Sequence, residues 1–145
     1  MNVSEELIRE IVTKVLQASA GAPGADFEKH VDPSGIIGIK TSTVKCELFG
    51  QDGVSLKDVV TLEEAPRMGC GIMELDHTSF EWTLTYDEYD FVIEGTLEIE
   101  IDGRVITGEP GDIIYIPKDS PIHFRTPNKT RYAYFVYPAN WQSQS

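Results

Sequence analysis

Four carboxylates, Glu81, Asp87, Glu88 and Asp90, fall within ten residues and are interleaved with Trp82, Tyr86 and Tyr89. Oxygen donors at that density can hold Mg²⁺ through carboxylates and waters. The rings offer apolar faces for stacking. The plainer use of the same residues is structural: acids mark the solvated face of an antiparallel sheet, and a large ring fills a small barrel. Other chemistry is thinly represented. No Gly-rich loop ending in Lys-Ser or Lys-Thr is present, so the common nucleotide cradle is missing. His77 stands beside Asp76 ahead of Thr78-Ser79, a turn-like run, and His30 stands near a small-residue tract. Neither has a partner at metal-ligand spacing. Cys46 and Cys70 lie singly in apolar runs, which makes neither a disulfide framework nor a zinc motif and points to a reduced, cytoplasmic setting.

The elements that must position these groups are short strands. Gly35 to Lys40, Thr43 to Phe49 and Met68 to Leu75 are early candidates. Leu97-Glu98-Ile99-Glu100-Ile101 alternates apolar and acidic side chains, then Asp102-Gly103 precedes Arg104-Val105-Ile106-Thr107. Asp-Gly between alternating runs predicts a hairpin with a type I′ turn. Gly111 to Ile116, Ile122 to Thr126 and Arg131 to Tyr137 complete the set. Roughly ten short strands with turn signals between them predict an all-β sandwich or barrel over 27–145. Tyr132 and Tyr134 share one face of the last strand. Two uses are open to them: lining the cavity, or contributing with exposed strand edges to a homodimer.

The N-terminus has a different period. Leu7, Ile8, Ile11, Val12, Val15 and Leu16 form one apolar stripe, so an amphipathic helix is expected over 1–18. Ser4 suits its N-cap, and Glu5–Arg9 and Glu10–Lys14 are favourable i,i+4 pairs. Residues 19–26, rich in Gly, Ala and Pro, read as a flexible linker. The stripe is buried against this chain's barrel, against a dimer mate, or in a groove of another protein, and the tether favours the last. The whole chain of 145 residues carries 12 Lys and Arg against 24 Asp and Glu, a net charge of −12. That balance argues against nucleic acid and anionic membrane as partners. No apolar run approaches the roughly 20 residues of a membrane span, and Glu5 and Glu6 stand where a signal peptide would be positive.

Two stretches resemble the paired motifs of the cupin superfamily: Glu88-Tyr89-Asp90-Phe91-Val92-Ile93-Glu94-Gly95 and Gly111-Asp112-Ile113-Ile114-Tyr115-Ile116-Pro117. The resemblance implies a small jelly-roll barrel with a pocket at one mouth. Metal-binding members carry His-x-His shortly before the Glu and another His after the Pro. Here those places hold Trp82 and Leu84 (or Glu81 and Thr83) and Ile122. Indole and alkyl groups do not ligate metals, so no transition metal is expected. His123 follows the last of these places by one residue and, by strand alternation, should face away from the pocket.

Phe80-Glu81-Trp82-Thr83-Leu84-Thr85-Tyr86-Asp87-Glu88 and the end, Tyr137-Pro138-Ala139-Asn140-Trp141-Gln142-Ser143, resemble the ethanolamine-utilisation EutQ family. That resemblance implies work in bacterial microcompartments, with the helix addressing shell proteins. It also implies acetate kinase activity: acetyl phosphate plus ADP interconverting with acetate plus ATP. Phosphoryl transfer needs Mg²⁺ and cations to neutralise its charge. On that reading ATP or ADP and Mg²⁺ come and go, and no cofactor is tightly bound. Glu88, Asp87 and Glu81 are the candidate catalytic carboxylates. Trp82, Tyr86, Asp90, Tyr134 and Arg125 are candidates for substrate contacts, with Lys118 a further candidate for phosphate. Two other functions stay open: a non-catalytic protein linking shell and cargo, and a metal-free carboxylate reaction such as isomerisation on a small molecule.

Overall fold

Alternating apolar and polar side chains make most of the described residues extended. The computed structural model describes residues 26–140. The expected helix, nearly all of the linker and the terminal Trp141-Gln142-Ser143 lie outside the described residues. The chain divides into two compact units at Lys45/Cys46. Residues 27–45, assigned above to the barrel, are therefore part of the first unit. There β1 (Lys29–Val31) and β2 (Ile37–Ile39) form a hairpin. Its turn is fastened by the Asp32 carboxylate, which accepts from the Ser34 N–H at 2.9 Å. A 3₁₀ turn at Thr41–Thr43 brings the Thr43 hydroxyl to accept from the Glu28 N–H at 2.8 Å.

The second unit holds ten antiparallel strands. They are β3 (Glu47–Leu48), β4 (Val54–Asp58), β5 (Gly69–Asp76), β6 (Ser79–Thr83), β7 (Asp87–Gly95), β8 (Leu97–Ile101), β9 (Arg104–Gly108), β10 (Ile113–Ile116), β11 (Pro121–Arg125) and β12 (Lys129–Tyr137). Six form one sheet in the order β10-β7-β12-β5-β4-β3, and four form the other in the order β6-β11-β8-β9. Leu97, Ile99, Ile122 and Phe124 of the small sheet bury against Met73, Val92, Tyr132 and Val136 of the large one. Each such side chain, taken out of water, contributes on the order of 2 kcal/mol. The unit is an all-β barrel of two facing sheets, as the strand pattern predicted.

Local chemistry explains where strands begin and end. Asp102 and Gly103 have φ of 51° and 77°, the two positive angles that a type I′ turn demands. Strand β4 escaped the sequence reading, although Val54 and Leu56 alternate with Ser55 and Lys57. The expected strand at 43–49 shrinks to Glu47–Leu48, because its start is spent on the 3₁₀ turn. Tyr132 and Tyr134 point into the barrel, 0% and 4% exposed, so they form no part of a subunit interface. Large apolar side chains on the outer face of the large sheet include Tyr89, Phe91, Ile113, Tyr115, Phe135 and Tyr137 instead.

Gly95 closes β7 with φ of +73°, and a Cβ there would sit 1.7 Å from the Lys129 carbonyl oxygen. Gly95→Ala therefore adds both a left-handed backbone penalty and a backbone clash, and should cost at least about 2 kcal/mol. Urea unfolding measures this, and an unchanged midpoint would show that the β7–β12 contact yields easily.

Candidate functional site

Strand parity decides which carboxylates meet. On β7, Glu88, Asp90 and Val92 point inward and are buried, while Tyr89 and Phe91 point outward. Asp87 is also on the outer side, where its carboxylate accepts from the Lys118 N–H at 2.9 Å and from the Tyr115 hydroxyl at 3.1 Å. Glu81 belongs to the other sheet and is exposed, on the opposite side of β6 from Trp82. The four carboxylates grouped by sequence thus separate, and only Glu88 and Asp90 come together. Among the described residues no three His, Cys, Asp or Glu side chains gather as a metal site.

The pair lies beneath an aromatic cavity. Glu88 lines its wall with Trp82, Tyr86, Tyr134, Phe80 and Phe124. Ring contacts run from Phe49 to Trp82 at 6.0 Å, from Trp82 to Phe80 at 5.4 Å, from Phe80 to Phe124 at 6.0 Å and from Phe124 to Tyr132 at 6.1 Å. Trp82 and Tyr86 are coupled directly, the indole N–H donating to the phenol oxygen at 2.7 Å. Tyr134 donates to the Asp58 carboxylate, and Tyr132 donates to the Met73 sulfur at 2.8 Å. Gly71 makes room for this arrangement, since a Cβ there would lie 2.1 Å from the Tyr134 hydroxyl. The cavity volume is about 20 Å³, the scale of a single water.

Burial pushes the Glu88 carboxyl up from its ordinary range. Asp90 is also pushed well above its ordinary range, by burial first and then by the charge of Glu88 beside it. Neither Asp90 oxygen finds a hydrogen-bond partner among the described residues. The pair can take or give a proton in a nearly dry setting, where electrostatic effects are strong. Burial also holds the Tyr86, Tyr132 and Tyr134 phenols in their protonated form. Cys46 and Cys70 are unpaired, and burial pushes their thiols up to about 12 and about 11, so neither supplies a thiolate.

The remaining candidates sit elsewhere. Arg125 lies on the outer face of the small sheet, its guanidinium 2.8 Å from Glu98. His123 shares that face, 3.1 Å from Glu100, as alternation predicted. Lys118 is exposed beyond β10. Inside, Trp82, Leu84 and Ile122 occupy the places where the expected family's metal-binding members keep histidine. Sequence reasoning missed Met73, Asp58 and Gly71. Of these only Met73 left a signal, as an inward position in the apolar run of β5.

The barrel of two facing sheets, with Glu88 pointing inward, has a cupin-like fold. The barrel matches a solved Cupin_2 domain from an Enterobacter cloacae regulator, with 21% identity, a TM-score of 0.52, and coverage of 59% of this chain and 97% of that one. The family model described as ethanolamine utilisation protein EutQ matches residues 2–143, and the chain belongs to the EutQ family of ethanolamine utilisation. A relative in Clostridioides difficile named acetate kinase EutQ is 44% identical, over 99% of this chain and 95% of its own length. A Salmonella typhimurium relative of the same name is 37% identical over 97% of this chain, which spans 64% of it, less than two thirds. The solved EutQ structure from Clostridium difficile has 48% identity and a TM-score of 0.78, covering 83% of this chain and 93% of that one.

The buried acids tie stability to pH. An unfolded Asp loses its proton near pH of about 4, whereas Asp90 keeps its proton well above that value in the fold. Its stabilising share is full below the unfolded pKa and is lost as pH rises. The melting temperature of the native chain should therefore fall more steeply than that of Asp90→Asn between about pH 5 and pH 8. A constant gap between the two curves would mean that Asp90 ionises normally.

Proposed function

We propose that the chain serves ethanolamine utilisation as an acetate kinase, interconverting acetyl phosphate and ADP with acetate and ATP. The bond between phosphorus and the acetyl oxygen breaks, and one forms between phosphorus and the terminal oxygen of ADP. The observation that carries this reading is the 44% identity, across nearly the whole of both chains, to a relative named for that activity. The pocket adds a buried, perturbed carboxyl of the kind that functional sites keep. A cavity of about 20 Å³ has no room for a nucleotide, so transfer takes place at the mouth. Mg²⁺ arriving with ADP would supply the positive charge there, and Glu88 is the carboxylate that would face it.

Arg125 stays committed to Glu98 on the outer face, and the site relies on the metal for phosphate neutralisation. With Mg²⁺, acetyl phosphate and ADP, the purified chain should form ATP, and Glu88→Gln should lower kcat by about tenfold or more. Equal rates in the two proteins would remove Glu88 from the mechanism.

A second reading rests on the interior itself: no Lys, Arg or His lines the cavity. On that reading the chain is a binding or assembly protein without turnover, and a complete lack of ATP formation favours it. Under either reading we assign residues 1–18 to docking on microcompartment shell proteins, on the strength of their apolar stripe. Residues 1–20 fused to a fluorescent protein should enter assembled shells, and Ile11→Glu with Val15→Glu should leave the fusion diffuse. Diffuse signal from the unmutated fusion would end the assignment.

A further inference from the structure

Two carboxyl groups side by side in a barrel interior stay ionised only beside something positive, and no Lys, Arg or His lines their cavity. Glu88 and Asp90 are 5% and 0% exposed, on inward positions of the same strand. Several cations of this unit pair with acids elsewhere, Arg125 with Glu98, Arg131 with Glu74 and Lys57 with Glu47, and none lines the cavity. A buried charge without a partner costs several kcal/mol, so interiors keep one only where a partner arrives. Asp90 is the sharper case, because both of its oxygens are buried and find no hydrogen-bond partner among the described residues.

The walls narrow the choice of partner. Trp82, Phe80, Phe124 and Tyr86 surround the carboxyl of Glu88, and ring faces attract a cation stripped of water. An anion is repelled by the acids. A divalent metal asks for about six oxygen donors, and no third carboxylate joins the pair among the described residues. The volume of about 20 Å³ admits a water-sized group, and a protonated amine head is of that size.

We propose that this cavity binds the head of a small primary alkylammonium ion, its ammonium group against Glu88 with Asp90 behind, and its short chain running out of the opening past Trp82. Burial and the neighbouring Glu88 favour the protonated form of Asp90, so the pair carries at most a single negative charge, which a monovalent cation matches. The ammonium N–H groups donate to carboxylate oxygens, and the chain removes apolar surface from water along the rings. Nothing covalent is involved. This site goes beyond the phosphotransfer reading and does not depend on it: both draw on Glu88, but amine binding needs neither Mg²⁺ nor nucleotide.

The test is an NMR titration of the full chain, without Mg²⁺, nucleotide or acetyl phosphate, so its failure and that of the kinase reading are separable. Ethylammonium chloride and 2-aminoethanol are the ligands, with ethanol, sodium acetate and sodium chloride as controls. The amines should move the Trp82 indole N–H signal saturably, and the controls should not. Asp90→Asn should weaken amine binding about tenfold, and Glu88→Gln should weaken it further. Equal shifts with ethanol, a response that never saturates, or binding that survives both substitutions would overturn the proposal, leaving a buried water as the occupant. Should both variants fail to fold, the preference of the native chain for amine over ethanol decides the matter alone.

Discussion

Side-chain parity along β7 is the constraint on which the rest of the molecule turns. A strand sends successive side chains to opposite faces, so Glu88 and Asp90 enter the barrel together while Asp87 stays at the surface. Val92 follows them inward at 0% exposure and anchors the strand in the core. A register slip of one residue would bring Tyr89 and Phe91 inside and free both acids into water. That slip is blocked at several points. Tyr134 stands opposite Asp90 across β12 and Ile114 opposite it across β10, and each of those strands has its own buried face. The unfavourable burial of two carboxyls is thus imposed by the many favourable contacts that fix the register.

Accepting an acid pair in the interior shapes its neighbours. The tyrosines nearest the pair remain phenols, and each has a defined contact that keeps it from wandering: Tyr86 with Trp82, Tyr132 with Met73, Tyr134 with Asp58. The outer faces follow ordinary rules. The acidic positions of β8, Glu98 and Glu100, meet Arg125 and His123 in the half-exposed setting where such pairs contribute at most about 1 kcal/mol. Opposite charges therefore meet on the surface, while the interior carries only negative charge. That asymmetry separates the site from an ordinary core.

The fold was legible because its signals are local. Alternation in Leu97–Ile101 and the Asp102-Gly103 turn need no knowledge of the rest of the chain, and the structure reproduces both. The outward placement of His123 followed from parity, and the inward placement of Trp82 from the resemblance to the cupin motifs. The site was less legible, because closeness in sequence is a poor guide to closeness in a sheet. Glu81, Asp87, Glu88 and Asp90 are near neighbours in the chain, yet two strands and two faces divide them. Residues that complete the pocket come from far away, Met73 on β5 and Tyr134 on β12, joined by register rather than by motif. The need for Gly71 arises only once Tyr134 is placed against it.

The comparison with metal-binding cupins then acquires a physical meaning. The barrel keeps the inward Glu but fills the histidine places with an indole and two alkyl groups, so the remaining carboxyl loses the ligand set that would hold a transition metal. Such a carboxyl has three ways to be stabilised: protonation, hydrogen bonds, or a cation from outside. Asp90 as neighbour favours the first, since one proton between two acids removes half of their charge. The aromatic walls favour the third, since they provide a quadrupole rather than donors. Hydrogen bonds are scarce, because the phenols of Tyr132 and Tyr134 point theirs at sulfur and at Asp58. A site built this way is suited to protons and small cations on its floor. Any phosphate must therefore be handled at the rim, by charge the ligand brings with it.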